Sequence, residues 1–210
     1  VGPLSLFDAS RYASCVGAEI TSLGRLRSGR WQRLLDIAFE NALIDGAFGG
    51  RFTGADCGMT LGTVLGDILG AEDAWRRGEQ APLSSMDLSS GAGSLANRYG
   101  LRGPVTTIST ACASGTDSVG MAFRQIQTGA ADLIFAGGAD TLSEFAFSGF
   151  SSLNAMTRDV VRPFDKGRTG LALGEGAAFL LLEEEDHARR RGASGYCEVA
   201  GYASTADANH

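Results

Sequence analysis

The sequence predicts an α/β protein built around a mostly parallel sheet, and three observations lead there. Short runs of β-branched and apolar residues, at 57–63, 105–109, 132–136 and 177–183, alternate with stretches whose apolar residues recur at helical spacing. Glycine is abundant, 30 of 210 residues, and gathers at chain reversals and where backbones must approach closely. Neither an internal repeat nor a low-complexity linker interrupts the pattern. A chain of this length holds one domain with a full core, or two small ones.

Taken in order, residues 1–26 read as irregular, with one short strand within 16–20. Ser28 is placed to cap a helix over 29–44, where Trp31, Leu34, Leu35, Ala38, Leu43 and Ile44 form the apolar stripe. The run 57–63 is a short buried strand, and helices follow over 64–77 and 87–99. A strand at 105–109 leads into a helix that starts just after Cys112. The run 132–136 is a buried strand that stops at Gly137-Gly138. Residues 139–174 read as loop-rich, with Phe145, Phe147 and Phe150 as core or pocket wall. Strands at 177–183 and 196–203 flank a charged helix at 184–191.

Hydrophobic residues make up 44% of the chain and charged residues 20%, the proportions of an ordinary globular protein. No apolar run approaches the roughly 20 residues that a membrane-spanning helix needs, and no charged segment followed by an apolar one opens the chain. Because it begins with Val1 rather than Met, a processed or trimmed piece of a longer product is expected. A formal net charge of −6 leaves nothing globally basic for nucleic acid. Cys15, Cys57, Cys112 and Cys197 are widely spaced and form no C-x-x-C, so neither a metal site nor a disulfide framework is expected. Free thiols suit a cytoplasmic location.

Cys112 is the candidate nucleophile. The β-branched run Thr106-Thr107-Ile108 ends just before it, small residues surround it, and a helical stretch follows. A strand–elbow–helix arrangement of this kind exposes a nucleophile, and the helix N-terminus favours a thiolate. The competing reading is a small buried hydrophobe. A base is harder to find. His187 sits in a solvated, charged helix and His210 ends the chain, so proton-handling groups are expected outside these residues. Gly174-Glu175-Gly176 lacks the third glycine of a dinucleotide site, and Glu175 reads as an anchor for backbone amides.

Thr110-Ala111-Cys112-Ala113-Ser114-Gly115 resembles the nucleophile motif of the elongating β-ketoacyl-acyl-carrier-protein synthases, the ketosynthases. The likeness extends upstream through Tyr99-Gly100-Leu101-Arg102-Gly103-Pro104 and downstream through Ala136-Gly137-Gly138-Ala139-Asp140. It continues in Arg162-Pro163-Phe164-Asp165, Arg168-Thr169-Gly170 and Gly174-Glu175-Gly176-Ala177, and ends in Asp207-Ala208-Asn209-His210. Thr169 departs from the family's usual Asp. The resemblance implies a thiolase-like fold, with residues 1–210 as the N-terminal half of a layered αβαβα architecture and the C-terminal half absent from this chain.

By the same resemblance, Cys112 takes an acyl group from a carrier-protein thioester, with its own N–H as one oxyanion donor. A malonyl thioester then loses carbon dioxide and condenses with it, in fatty acid or type II polyketide elongation. No bound cofactor is implied; substrates ride on the 4′-phosphopantetheine of acyl carrier protein. Thr63, Val64 and Leu65 are acyl-pocket candidates, with plain core packing as the alternative. Arg27, Arg30 and Arg33, in a basic cluster with Arg25, are candidates for docking the acidic carrier, against the alternative of a solvated face. Two catalytic histidines and a lysine must come from a complementary ketosynthase half, in an assembly expected to be dimeric. A non-catalytic partner of chain-length-factor type and a coenzyme A-dependent thiolase are the competing functions.

Overall fold

A computed structural model describes residues 1–48, 52, 57–81 and 87–208. The chain divides into two compact units. One comprises residues 1–33, 65–86 and 140–176, the other residues 34–64, 87–139 and 177–210.

The second unit holds a four-stranded sheet in the order β4-β3-β5-β6. Its strands are β3 (Cys57–Gly62), β4 (Val105–Ile108), β5 (Leu133–Asp140, the last residue falling in the other unit) and β6 (Gly176–Glu183, opening at the unit boundary). β3 runs parallel to β4, with Met59 opposite Val105 and Gly62 opposite Ile108, and parallel to β5, with Cys57 opposite Leu133 and Gly62 opposite Gly138. All six β3 residues are buried, as expected of a parallel strand covered on both faces. Against the sheet lie α1 (Arg30–Asp45), α3 (Ser90–Tyr99) and α4 (Ser114–Gln127). Leu34, Leu35, Phe39 and Leu43 of α1 are buried, and the Phe39 ring meets those of Phe135 and Phe179. The apolar side of α4 joins Ala131, Ile134, Ala136 and Leu182.

The first unit is built on the short antiparallel pair β1 (Gly2–Pro3) and β2 (Val16–Gly17), with α2 (Ile68–Arg76) and α5 (Glu144–Ser152). Leu6, Ala9, Leu142, Phe147 and Met156 form its core. The short helix α6 (Glu185–Arg190) completes the elements of the other unit. Among the described residues no helix is long and apolar enough to cross a membrane.

Several sequence expectations need correction. The strand expected at 132–136 does not stop at the glycine pair but runs through it to Asp140. Glycine is required there by close approach: a Cβ on Gly137 would lie 2.1 Å from the Ala178 carbonyl oxygen. The helix expected from residue 64 starts at Ile68, because residues 64–67 bend, with Gly66 at φ +56°. The stretch 139–174 contains α5, capped by the Ser143 hydroxyl, which accepts from the Ala146 N–H at 3.1 Å; its serines and aromatics conceal the helix, being middling helix formers. Phe147 is fully buried as core, whereas Phe145 is exposed. Residues 196–203 have no ladder partner among the described residues and form no strand. Ile44 is exposed, so the buried stripe of α1 ends one residue early, at Leu43.

Candidate active site

The elbow is set by the end of β4 and the start of α4. Between them Ala111–Ala113 make one 3-10 turn, with Ala111 at φ +52°. A non-glycine residue in that region carries strain of about 1–3 kcal/mol and persists only where its surroundings over-determine it. Here they do. Ser114, 4% exposed, accepts from the Thr110 N–H at 2.9 Å and donates to the Ala111 carbonyl at 2.7 Å. The Ala113 N–H reaches the Thr110 carbonyl at 3.2 Å. From one turn further on, Asp117 accepts from the Thr110 hydroxyl at 2.5 Å.

The floor beneath this turn consists of two glycines at the carboxyl ends of parallel strands, the usual place for a ligand in such sheets. A Cβ on Gly62 would stand 2.3 Å from the Ser114 carbonyl oxygen, and one on Gly138 would stand 3.3 Å from the Gly115 Cα. Ser118, fully buried, ties α4 down by donating to the Gly137 carbonyl at 2.7 Å, while its own carbonyl accepts from the Thr60 hydroxyl at 2.8 Å.

With the turn fixed in this way, Cys112 is exposed, as are Cys15 and Cys197. Cys57 is buried, and burial pushes its thiol up to about 12. The buried-hydrophobe reading therefore fits Cys57 and not Cys112.

The other expected residues separate. Thr63 is buried, and its N–H donates to the Ile108 carbonyl at 3.1 Å, beside the strand that feeds the elbow. Val64, in the same unit, is 40% exposed. Leu65 opens a segment of the other unit, where its N–H donates to Asp140 at 3.1 Å. Arg33 is exposed, as docking would need.

Arg27 and Arg30 correct the docking expectation, because both turn inward. Arg27 pairs with Glu72 and Asp73, each at 2.6 Å, and donates to the Leu6 carbonyl. Arg30 is fully buried. It grips both oxygens of Glu175, at 2.5 and 2.8 Å, and donates to the carbonyls of Ile20, Gly24 and Leu26. Glu175 also accepts from the N–H groups of Ile20 and Leu142, as an anchor for backbone amides.

His187 Nδ1 lies 2.5 Å from Glu183, whose carboxylate Arg191 also holds. Burial pushes the Glu183 carboxyl up, but the hydrogen bonds from Arg191 and His187 outweigh it and hold the group below its usual range. His210 lies outside the described residues. In the first unit a cavity of about 390 Å³ is lined by Ser151, Asn154, Met156, Arg158 and Thr169 among others, and touches none of the expected site residues. Thr169, the departure from the family pattern, shares a 2.7 Å hydrogen bond with Thr157.

Sequence reasoning missed Asp117 and Tyr202. The Tyr202 hydroxyl donates to the second Asp117 oxygen at 2.7 Å. Only the placement of Asp117 in the first turn of α4 hinted at a role.

Comparison with known proteins shows the family. Residues 16–188 match the family described as β-ketoacyl synthase, N-terminal domain. A Streptomyces cyaneus protein carrying the name polyketide β-ketoacyl synthase 1 is 45% identical over 126 residues, which is 57% of this chain and 30% of that protein. The 3-oxoacyl-[acyl-carrier-protein] synthase 2 of Staphylococcus aureus is 40% identical over 135 residues, 61% of this chain and 33% of that one. Among solved structures, a type II polyketide ketosynthase complexed with its acyl-carrier protein superposes with a TM-score of 0.86 at 29% identity, over 96% of this chain and 55% of that one. The ishigamide ketosynthase/chain length factor gives 0.81 at 31% identity, over 100% of this chain and 57% of that one. The chain thus spans about a third of those curated relatives and just over half of those solved chains. These neighbours bear out the thiolase-like fold.

Proposed function

The chain belongs to the β-ketoacyl synthase family through its N-terminal domain, and from that premise we propose that it supplies the nucleophile for decarboxylative condensation on acyl carrier protein. Cys112 attacks the carbonyl of an acyl thioester, and the phosphopantetheine thiol departs. A malonyl thioester then loses carbon dioxide. Its enolate forms a new carbon–carbon bond to the acyl carbonyl, which releases the Cys112 sulfur. The observation that carries this reading is the exposed thiol on a strained turn that four hydrogen bonds hold in place.

The acid–base groups belong, in this reading, to a complementary ketosynthase half, on another chain or in the remainder of the same one. His187 is committed to Glu183. Val105, Met121 and Leu180 leave apolar surface exposed in the unit that carries Cys112, which suits a covering partner in a dimeric assembly. In this reading Thr63 and Val64 line the acyl pocket, while Arg33, with Arg25 also exposed, steers the acidic carrier. Substrates arrive on phosphopantetheine, with no bound cofactor, and the free thiols suit the cytoplasm. A chain-length-factor role does without a nucleophile, so the exposed Cys112 favours the catalytic alternative.

The test is a condensation assay with acyl- and malonyl-carrier substrates. Product should form with the complementary half present and vanish in Cys112→Ala. Product from the 210 residues alone would overturn the division of labour, and product from Cys112→Ala would overturn the nucleophile.

A further inference from the structure

Two residues far apart in sequence meet beside the elbow. Tyr202 lies in the segment after α6, which has no secondary structure of its own. Three contacts nonetheless bind it to α4. Its hydroxyl donates to Asp117 at 2.7 Å, its carbonyl accepts from Arg124 at 3.3 Å, and its ring lies over Gly120, where an added Cβ would sit 2.1 Å from a ring carbon. Glycine at 120 is thus required by the ring. The other Asp117 oxygen holds the Thr110 hydroxyl, two residues before Cys112. One carboxylate therefore joins the start of the strained turn to a strap that crosses α4.

The electrostatics agree with that picture. Hydrogen bonds from Thr110 and then Tyr202 hold the Asp117 carboxyl below its usual range, and the bond to Asp117 raises the Tyr202 phenol. Both groups thus keep the protonation states that the bridge needs across the neutral range. A side chain placed merely for solubility would have no reason to accept from two hydroxyls, one 7 residues before it and one 85 residues after it.

We propose that Asp117 is a positioning residue for Cys112, acting through Thr110 and itself fixed by Tyr202. The inference rests on Cys112 being the acyl acceptor. Asp117 does not touch the substrate; it keeps Ala111 in the left-handed conformation that presents the thiol. Misplacing a reacting atom by about 1 Å costs on the order of a hundredfold in rate, and a partial loosening of one clasp among four costs less.

The experiment uses the native assembly that contains this chain, with the hexanoyl thioester of N-acetylcysteamine as probe. The Cys112 sulfur attacks the hexanoyl carbonyl and N-acetylcysteamine leaves as its thiol, so rapid-quench mass spectrometry follows one adduct. Asp117→Ala should lower the limiting acylation rate about tenfold, with the half-saturating probe concentration held within about twofold. Thr110→Val should do the same, and the double variant should fall no further than either single one, since both cut one connection. Tyr202→Phe keeps the ring over Gly120, so its melting temperature reports folding while its acylation rate also falls.

Wild-type rates in Asp117→Ala, or losses that multiply in the double variant, would overturn the positioning role alone. Absence of any adduct at Cys112 in the wild type would overturn the nucleophile assignment and this inference with it. The two failures are therefore distinguishable.

Discussion

Gly62 and Ser114 are packed backbone to backbone: a Cβ on Gly62 would come within 2.3 Å of the Ser114 carbonyl oxygen and 2.8 Å of the Gly115 nitrogen. The end of β3 therefore sets the height at which α4 begins, and with it the height of Cys112. Backbone atoms cannot swing aside as a flexible side chain can. Gly62→Ala should cost about 1–3 kcal/mol of stability, as overpacked sites do, and slow Cys112 acylation more than it shifts the melting temperature. Urea denaturation and single-turnover acylation, run side by side, check both halves of that expectation.

Two arginines of the same basic cluster should behave in opposite ways. Arg30→Ala leaves the Glu175 carboxylate buried without its partner, a loss of about 3–5 kcal/mol for such pairs, read as a lower denaturant midpoint. Arg33→Glu alters an exposed residue. It should leave the midpoint within about 0.5 kcal/mol while raising the Michaelis constant for carrier-bound substrate, with the effect fading in high salt. An unchanged Michaelis constant would remove Arg33 from carrier docking.

Thiol chemistry should sort the cysteines by exposure. Iodoacetamide at neutral pH should reach Cys112, Cys15 and Cys197, all exposed, and spare Cys57, which is buried with its thiol pushed up to about 12. Peptide mapping before and after urea gives the answer. Early labelling of Cys57 would contradict the burial of β3.

The bridge at Asp117 carries a definite pH dependence. Its folded carboxyl lies below the ordinary range because of Thr110 and then Tyr202. The stabilisation is therefore complete above the ordinary carboxylate value, about 4, and is lost as pH falls through the depressed folded value. For Tyr202 the phenol is raised by Asp117, so its contribution is complete below the ordinary phenol value, about 10, and is lost as pH rises through the higher folded one. Melting temperatures of wild type and Tyr202→Phe should accordingly converge at both extremes and differ most near neutrality.

How much of this was legible in the sequence depended on distance along the chain. Cys57–Gly62 could be read as a buried strand because every residue in it is small, apolar or threonine, and the elbow could be read because strand, thiol and helix are contiguous. Arg30 looked like one more charge in a basic cluster; its inward turn depends on Glu175, 145 residues away. Asp117 and Tyr202 likewise meet only through the fold. Gly137-Gly138 reads as a stop because a glycine pair usually ends a strand, whereas here Gly137 lets the Ala178 backbone approach β5 and Gly138 faces Gly115. Local pattern picks out Cys112 as the candidate nucleophile, and tertiary contacts determine which of its neighbours hold it.

The central claim is that Cys112 accepts the acyl group. The most direct measurement is intact mass and peptide mapping of the native assembly after brief mixing with an acyl-carrier thioester and no malonyl donor. The account predicts one acyl equivalent, on Cys112, that hydroxylamine removes and that Cys112→Ala never acquires. An acyl group on another residue, or none on a competent assembly, would contradict it.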